Sequence, residues 1–569
     1  MADIDVKSIA TLIIFFLSII FVIHAVEIPI RLPFIGRTRL KLNLMTAPIL
    51  AIAILWASQC LGATQIRDGI VGVENVKPYN ILILFISLAY MAITLDITGV
   101  LQAAAFWVSN KGGSNGYKLF FYFYVMLTTL TVVLGNDPVI LSGTAFLVYY
   151  TKVAELNPMS WLMAEFAAAN TASMVLFVGN PTNVVICEGF GINNAAFTAY
   201  TILPFLGCIV ACFIALAIQF RDPKYIPRHL TNTQELDVRS VLLDPTGALV
   251  GGLLLGACLV TVIVTSFFHV DVWKITLPFA GGKFIFDVCW DHYRYVKKTG
   301  ISGNKEDSPV PIGRASTAED IMLQELEDKK GAANTSSRRR QGTLDNAQDA
   351  IHPNGFPPSH AQDVESLPHT TTRSLSPDAQ PLKSLLGRHR SRFIAAHSHL
   401  SAHFPTLTTA FPRLPLGLIP FAFSQFILIE ALASRGWIAL FSTWLSLATQ
   451  NRTYPLIWLT GTLCIVLCNI SGTNIGATIL LTKIIRATPG LSEEGRMAGA
   501  VSLAVASNIG AVSATFSASL AGLLWRGILR QKGIVIGQRE FARWNVGPLV
   551  AMTVVGMGIV CAEMAVLYR

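Results

Sequence analysis

Gly179-Asn180-Pro181-Thr182-Asn183 interrupts an apolar run, Trp161 to Phe190, that would otherwise be long enough to cross a bilayer as one helix. Proline has no N–H to donate and clashes with the preceding turn, so Pro181, two residues after Gly179, predicts a break. In hydrocarbon the freed backbone groups need partners, and a break at membrane depth survives only where protein or a polar cavity covers it. Alone, the stretch is either a proline kink or a binding site of the kind that interrupted helices build.

Composition supports that setting. Of the 569 residues 52% are hydrophobic and 14% charged, with mean hydropathy +0.54. Soluble domains carry about 25% charged residues, so the chain reads as an all-α polytopic membrane protein. Its net charge of +9 would suit nucleic acid if it were concentrated on one folded face. Instead most Lys and Arg fall between apolar runs on one side, as the positive-inside rule expects, and no nucleic-acid partner is expected. Nine cysteines lie almost all in or beside apolar runs, with no CxxC, so neither disulfides, zinc nor any cofactor is expected. Cys208/Cys212 and Cys464/Cys468 are i,i+4 pairs that either hold a thiophilic ligand or pack as small buried residues. Asp3 and Asp5 beside Lys7, a long Ile9–Val26 run and no small-residue cleavage site predict a retained first helix.

Spanning segments are expected near 8–26, 44–62, 80–96, 158–190, 200–220, 246–268, 272–291, 415–434, 496–525 and 546–567. Two further apolar stretches, 117–150 and 454–488, have polar centres and are expected to be re-entrant hairpins. With those two not crossing, the basic groups Arg31–Lys41, Arg221–Arg239 and Arg526–Arg543 share one side with the insert at 292–413. That side is then cytosolic and both termini are outside, in the plasma membrane or an organelle membrane. The segment 272–291 is the weakest crossing, because Lys274, Lys283 and Asp287 lie in it. The domain reading is a first membrane repeat at 1–220, a cytosolic connector at 221–245, two helices of the second repeat at 246–291, the insert at 292–413 and the remainder at 414–569. The insert, rich in Ser, Thr, Pro and charge with basic knots at Arg338–Arg340 and Arg388–Arg392, cannot bury a core and is expected to be disordered.

The two halves echo each other. Asn136 and Asn170 are 34 residues apart, as are Asn474 and Asn508; at the same offset of 338, Thr144 falls on Thr482. Gly99 echoes Gly436, and Phe197–Pro204 echoes Phe541–Pro548. Each half then has five crossings, one hairpin and one broken helix, and an odd number of crossings inverts the second copy. Inverted repeats with broken helices put a shared site near the midplane, reached alternately from each side, which is the architecture of a secondary transporter.

Four polar clusters are expected to form that site. Two are hairpin tips, Gly135-Asn136-Asp137-Pro138 and Asn469 to Gly476, the latter with Ser471, Gly472, Thr473, Asn474 and, beyond it, Thr478. Two belong to broken helices: Asn170-Thr171 through Gly179–Asn183, and Ser507-Asn508 with Gly510 through Ser513, Thr515, Ser517 and Ser519. Amides and hydroxyls coordinate an ion without the burial cost of a charge, while exposed N–H groups at half-helix N-termini favour an anion. Ser513 and Ser519 also read as residues permitting tight packing. Asp137 is the one acid in the clusters, with Ile475 at its place in the other half, and is the proton-coupling candidate. Glu165, Glu430 and Asp96 are weaker candidates, and His24 and His269 sit at segment ends.

Leu134–Thr144 (LGNDPVILSGT), Asn157-Pro158, Ala168–Asn183 (AANTASMVLFVGNPTN) and Cys468–Thr478 (CNISGTNIGAT) resemble the ion transporter superfamily, nearest its arsenite-pump and citrate-transporter-like branch. The resemblance covers roughly 40–291 and 413–567. It implies a scaffold and a mobile transport region moving like an elevator, usually in a homodimer, with binding roles at the tips Asn136 and Asn474 and at the breaks 179–183 and 516–519. The second break departs from the pattern: Thr515-Phe516-Ser517-Ala518-Ser519 lacks a Pro-Ile-Gly-like element, which bears on any sodium site there, and a proton is the expected coupling ion. The substrate expected is a small oxyanion such as arsenite; a citrate or dicarboxylate carrier and a cation/proton antiporter are the alternatives. No Lys or Arg lies in the four clusters, Lys483 being nearest, and this favours a weakly charged substrate. An intramembrane enzyme would need a nucleophile with a base or metal-binding residues at helical spacing, and no HExxH motif occurs.

Overall fold

The structure, a computed structural model, describes residues 4–32, 36–73, 76–230, 236–268, 270–302 and 397–568. It begins with α1 (Val6–Ile23), an antiparallel hairpin of β1 (Val26–Leu32) and β2 (Gly36–Leu42), then α2 (Thr46–Ala57), α3 (Ala63–Val71) and α4 (Pro78–Ile97). There follow α5 (Val100–Gly112), α6 (Gly116–Leu134), α7 (Asn136–Val153), α8 (Pro158–Ala172), α9 (Pro181–Phe190) and α10 (Asn194–Gln219). After α11 (Pro245–Thr265) and α12 (Trp273–Ser302), the chain is described again from a helical segment at 397–403 and α13 (Pro405–Ala410). It closes with α14 (Leu418–Ser434), α15 (Trp437–Thr449), α16 (Thr453–Ile470), α17 (Asn474–Ala487), α18 (Glu493–Gly510), α19 (Leu520–Gln531) and α20 (Gln538–Leu567).

Local chemistry sets many of these starts. Asn115, Asn157, Asn193, Asp244 and Ser492 each accept a hydrogen bond from a first-turn N–H, and Pro78, Pro158 and Pro245 occupy first-turn positions where a missing N–H costs nothing. Val210, Ile218, Leu249, Leu253, Val260 and Val554 leave apolar faces of α10, α11 and α20 exposed. Such continuous apolar surface belongs against lipid rather than water.

Among the described residues eight helices are long and apolar enough to cross a membrane, where ten crossings were expected. Segment 44–62 divides into α2, whose twelve residues reach only about 18 Å, and the turn before α3. Segment 272–291 lies in α12, whose Lys283 and Asp287 form a buried ion pair, Asp287 also accepting from the Tyr90 hydroxyl at 2.9 Å. Conversely, α6 and α16, the first arms of the two expected hairpins, are themselves long enough to cross. The β1–β2 ribbon is a second departure from an all-helical chain. Basic residues read as a loop there pair across the ribbon, with Lys41 3.0 Å and Arg39 3.4 Å from Glu27. At the insert, 292–302 continue α12 and 397–413 form helical turns, so both edges of the expected disordered segment are ordered; 303–396, with both basic knots, lie outside the described residues.

The order of elements recurs after the insert. Gly99 (φ 90°) and Gly436 (φ 79°) start α5 and α15 from left-handed backbone, and Gly135 and Gly472, both at φ 82°, turn the chain between α6 and α7 and between α16 and α17. The halves interlock: α9 packs on α17, α19 packs on α7, and α10 lies along α20. Replacing Lys283 by Met is expected to destabilise the protein by about 3–5 kcal/mol, because it strands a buried charge. Adding Asp287→Leu should restore most of that loss in a thermal melt.

Candidate functional site

Both breaks have the same geometry. A single 3-10 turn, Phe177–Gly179, separates α8 from α9, and Phe516–Ala518 separates α18 from α19. Asn180 (φ −151°, ψ 141°) and Ser519 (φ −143°, ψ 155°) then cap the next helix, accepting from Thr182 N at 3.2 Å and Gly522 N at 3.0 Å. The missing Pro-Ile-Gly-like element therefore does not prevent a break. Both turns use a glycine to tighten: a Cβ on Gly179 would lie 2.3 Å from the Ser173 carbonyl, and one on Gly522 would lie 2.4 Å from the Phe516 carbonyl.

Four helix starts meet at one small cavity. Its wall comes from Asn136 and Asp137 opening α7, Asn180 and Pro181 opening α9, Asn474 and Ile475 opening α17, and Ser519, Leu520 and Ala521 opening α19, with Phe85 of α4 beside them. The N-terminus of a helix carries roughly half a positive charge from its aligned peptide dipoles and its unbonded N–H groups. Four such ends around one space make a positive site without a cationic side chain, and none lines this one. The α7 start has no side-chain cap, so its first N–H groups are not taken by a neighbouring hydroxyl or amide. Asp137 sits in that first turn, and among the described residues no hydrogen bond or ion pair reaches its carboxylate.

Behind the cavity Asn508 ties the two breaks together. Its Oδ1 accepts from Ser173 Oγ (2.9 Å) and Asn180 Nδ2 (3.2 Å), and its Nδ2 donates to Asn183 Oδ1 (2.9 Å). Asn183 in turn donates to the carbonyls of Ser173 and Leu176, absorbing groups freed by the broken helix. Ser507 Oγ reaches Thr182 Oγ1 at 3.4 Å. Asn469 plays the comparable part at the second break, where its Oδ1 accepts from Thr515 N and Oγ1, each at 3.0 Å, and its Nδ2 donates to Ser513 Oγ at 2.8 Å.

Other expected site residues stand elsewhere. Asn170 and Asn508 look equivalent by spacing, yet Asn170 Nδ2 bonds its own helix at Phe166 O and its buried Oδ1 has no partner. Thr171 bonds Ala167 O and Met552 Sδ, and Thr144 donates to Glu165 two turns along α7 from the cavity. Pro138 is buried behind the tip; Ser471 and Thr473 shape the second tip, where Gly472 abuts Val22 of α1. Gly476 packs on Gln425, Gly510 on Cys468, and Thr478 is buried with an unpartnered hydroxyl. Ser517 reaches Thr515 Oγ1 at 3.4 Å rather than the cavity. Sequence reasoning missed Phe85 and left Ser519, a member of the second broken-helix cluster, open between site and packing; its offset of 339 from Asn180 was the signal that pairs the two caps.

The remaining candidates are accounted for locally. Glu430 pairs with Lys483, Asp96 with Arg413 at 3.4 Å, and His24 is exposed at the end of α1, while His269 lies outside the described residues. Cys208, Cys212, Cys464 and Cys468 are buried at helix contacts. Gly112-Gly113-Ser114-Asn115-Gly116 has the spacing of a nucleophile motif, but it joins two helices rather than a strand and a helix, and Ser114 is exposed.

Eight helices long and apolar enough to cross a membrane, among the described residues, support a multi-pass integral membrane protein. Residues 34–289 match the family model described as CitMHS, citrate transporter. An arsenical pump membrane protein of Escherichia coli is 24% identical over 183 residues, 30% of this chain and 42% of that protein. Another, from strain K12, is 26% identical over 159 residues, 26% of this chain and 35% of the relative. A 46 kDa membrane protein of Mycobacterium leprae is 22% identical over 123 residues, 21% and 29% of the two chains. The aligned stretches thus span about two-fifths or less of the relatives' own length. The chain is thus similar, over much of its first half, to the citrate-transporter family model and, over shorter stretches, to arsenical pump membrane proteins, which supports the resemblance to the ion transporter superfamily in its arsenite-pump and citrate-transporter branch.

Proposed function

We propose that the protein is a secondary active transporter of a small anion or oxyanion, arsenite-like in size, coupled to protons. The observation that carries this reading is the cavity on which four helix N-termini converge with no Lys or Arg in its wall. Helix ends favour a single negative charge or a polarised neutral acid; a tricarboxylate would call for cationic side chains, which disfavours citrate itself. Asp137 supplies the coupling. Its carboxylate and a substrate anion compete for the same helix ends, so the anion enters when Asp137 is protonated.

In this reading the recurring elements are inverted copies, α6–α7 and α16–α17 are re-entrant hairpins, and the tips with the broken helices move as an elevator against a scaffold in a homodimer. The matched breaks and the crosswise packing of α9 on α17 and α19 on α7 support it, because they bind both tips and both breaks into one unit. The test is flux into vesicles holding the purified protein, with arsenite, silicic acid, citrate and sodium, with and without a pH gradient. Proton-dependent flux of a small oxyanion is the expected result, lost in both Asn136→Ala and Asn474→Ala. Sodium-driven citrate flux, or normal flux in both variants, would sink the proposal.

A further inference from the structure

Ser142-Gly143-Thr144 is one turn of α7 placed between two buried carboxyl groups. The Ser142 hydroxyl donates to Asp96 at the end of α4, while the Thr144 hydroxyl donates to Glu165 Oε2 on α8 at 3.0 Å. Asp96 has a cation, Arg413, at 3.4 Å. Glu165 is fully buried, and its second oxygen, Oε1, has no hydrogen-bond partner among the described residues. The Trp525 indole lies beside the carboxyl, with Nε1 short of a hydrogen bond.

What separates Glu165 from open space is a glycine. A Cβ on Gly143 would sit 2.5 Å from Glu165 Oε1 and 3.4 Å from Leu127 Cδ2. Gly143, Leu127 and Ser142 line a second, water-sized cavity between α5, α6 and α7. Gln102, whose buried Oε1 is also unpartnered, lies on the same wall. Buried polar oxygens without partners are where a water bridges, given two to four polar neighbours, and Gln102, Ser142 and Glu165 provide them along this gap.

We propose that Glu165 is a second proton-binding site, loaded from the cavity between α5, α6 and α7 through the gap at Gly143, and separate from the substrate cavity at Asp137. An ionised carboxylate at Glu165 would be an uncompensated buried charge. The helices packed on α8 do not relieve it. On α7 the charged or titratable groups are Asp137, two turns away, Lys152 and the phenols Tyr149 and Tyr150; on α6 they are Lys118 and the phenols Tyr117, Tyr122 and Tyr124, the last donating to Ile209 O. On α10 the titratable groups are Tyr200, Cys208 and Cys212, and on α18 Glu493, Glu494 and Arg496 at its start. On α19, Arg526 lies over the Phe516 ring at 4.8 Å and Arg530 follows a turn later; α20 holds Arg539, Glu540, Arg543, Glu563 and Cys561. Among the described residues none of these groups pairs with Glu165, whose one hydrogen bond is the neutral one from the Thr144 hydroxyl. A carboxyl so placed is inexpensive only with its proton, and it can release that proton only where water reaches Oε1.

The proposal rests on the transporter reading for its role in coupling, but proton binding can be read without transport. In pH-difference infrared spectra of the purified full-length protein, Glu165→Gln should remove one titrating carboxylic C=O band that Asp137→Asn leaves in place. In vesicles the proton-to-substrate ratio should fall by one in Glu165→Gln. Gly143→Ala should suppress the same band, and Gly143→Ala with Glu165→Asp, which shortens the acid away from the new methyl, should bring it back. Spectra of Glu165→Gln that titrate like the wild type would overturn the site, as would an unchanged ratio. Absence of flux in the wild type with the Glu165 band present would overturn the transporter reading alone.

Discussion

Asn508→Ala abolishes transport and lowers stability by about 2–6 kcal/mol, the expected sum for two buried groups losing their partners at about 1–3 kcal/mol each. Those groups are Asn183 Oδ1 and the Nδ2 of Asn180, which bond Asn508 at 2.9 and 3.2 Å. Ser173 loses less, because its hydroxyl also donates to Asn170 O at 2.8 Å. The functional loss should exceed the thermodynamic one. Asn508 is the side chain that fixes the first break against the second half, so removing it frees Asn180, a cavity residue, from its register. The check pairs a thermal melt in detergent with flux in vesicles. Asn170→Ala is the control: similar in sequence position, it bonds within its own helix and should leave most of the flux. Equal losses from the two variants would contradict the bridging role.

Asp137→Asn removes the dependence of substrate affinity on pH. The sign follows from competition: the ionised carboxylate repels an anion from the four helix ends, and the protonated one does not. Affinity in the native protein therefore falls as pH rises through the titration of Asp137, by about tenfold per pH unit above it for a single group. Asparagine keeps the shape and never ionises, so its affinity stays at the acid-side value across the range, and the proton that Asp137 contributes to uphill flux is lost. Equilibrium binding of the transported oxyanion across a pH series measures this. A slope retained in Asp137→Asn would remove the residue from the coupling scheme.

Much of the site was legible because helix breaking is local. Gly135 and Gly179 with Pro181 announce a turn and a break by residue type, and the structure has both where the sequence has them. The second break was legible only through the repeat. Thr515-Phe516-Ser517-Ala518-Ser519 contains neither Gly nor Pro; it is held by Asn469 on Thr515 and by Phe516 stacked on Phe541 at 4.1 Å. The β1–β2 ribbon and the Lys283–Asp287 pair were hidden although their partners are near in sequence: the ribbon is a hairpin whose basic residues read as a loop, and composition does not encode the burial of an i,i+4 ion pair.

The chain's own residues therefore determined the class, the breaks and five of the cavity residues, Asn136, Asp137, Asn180, Pro181 and Asn474, since hydropathy and backbone chemistry act over one or two turns. Which polar group faces the cavity was decided by the tertiary structure alone. A shared spacing of 34 residues repeats a length, not an environment. The rotation of each helix about its axis, set by what packs behind it, turned Asn508 into a bridge, left Asn170 within its own helix, brought Ser519 to the cavity wall and took Thr144 away to Glu165.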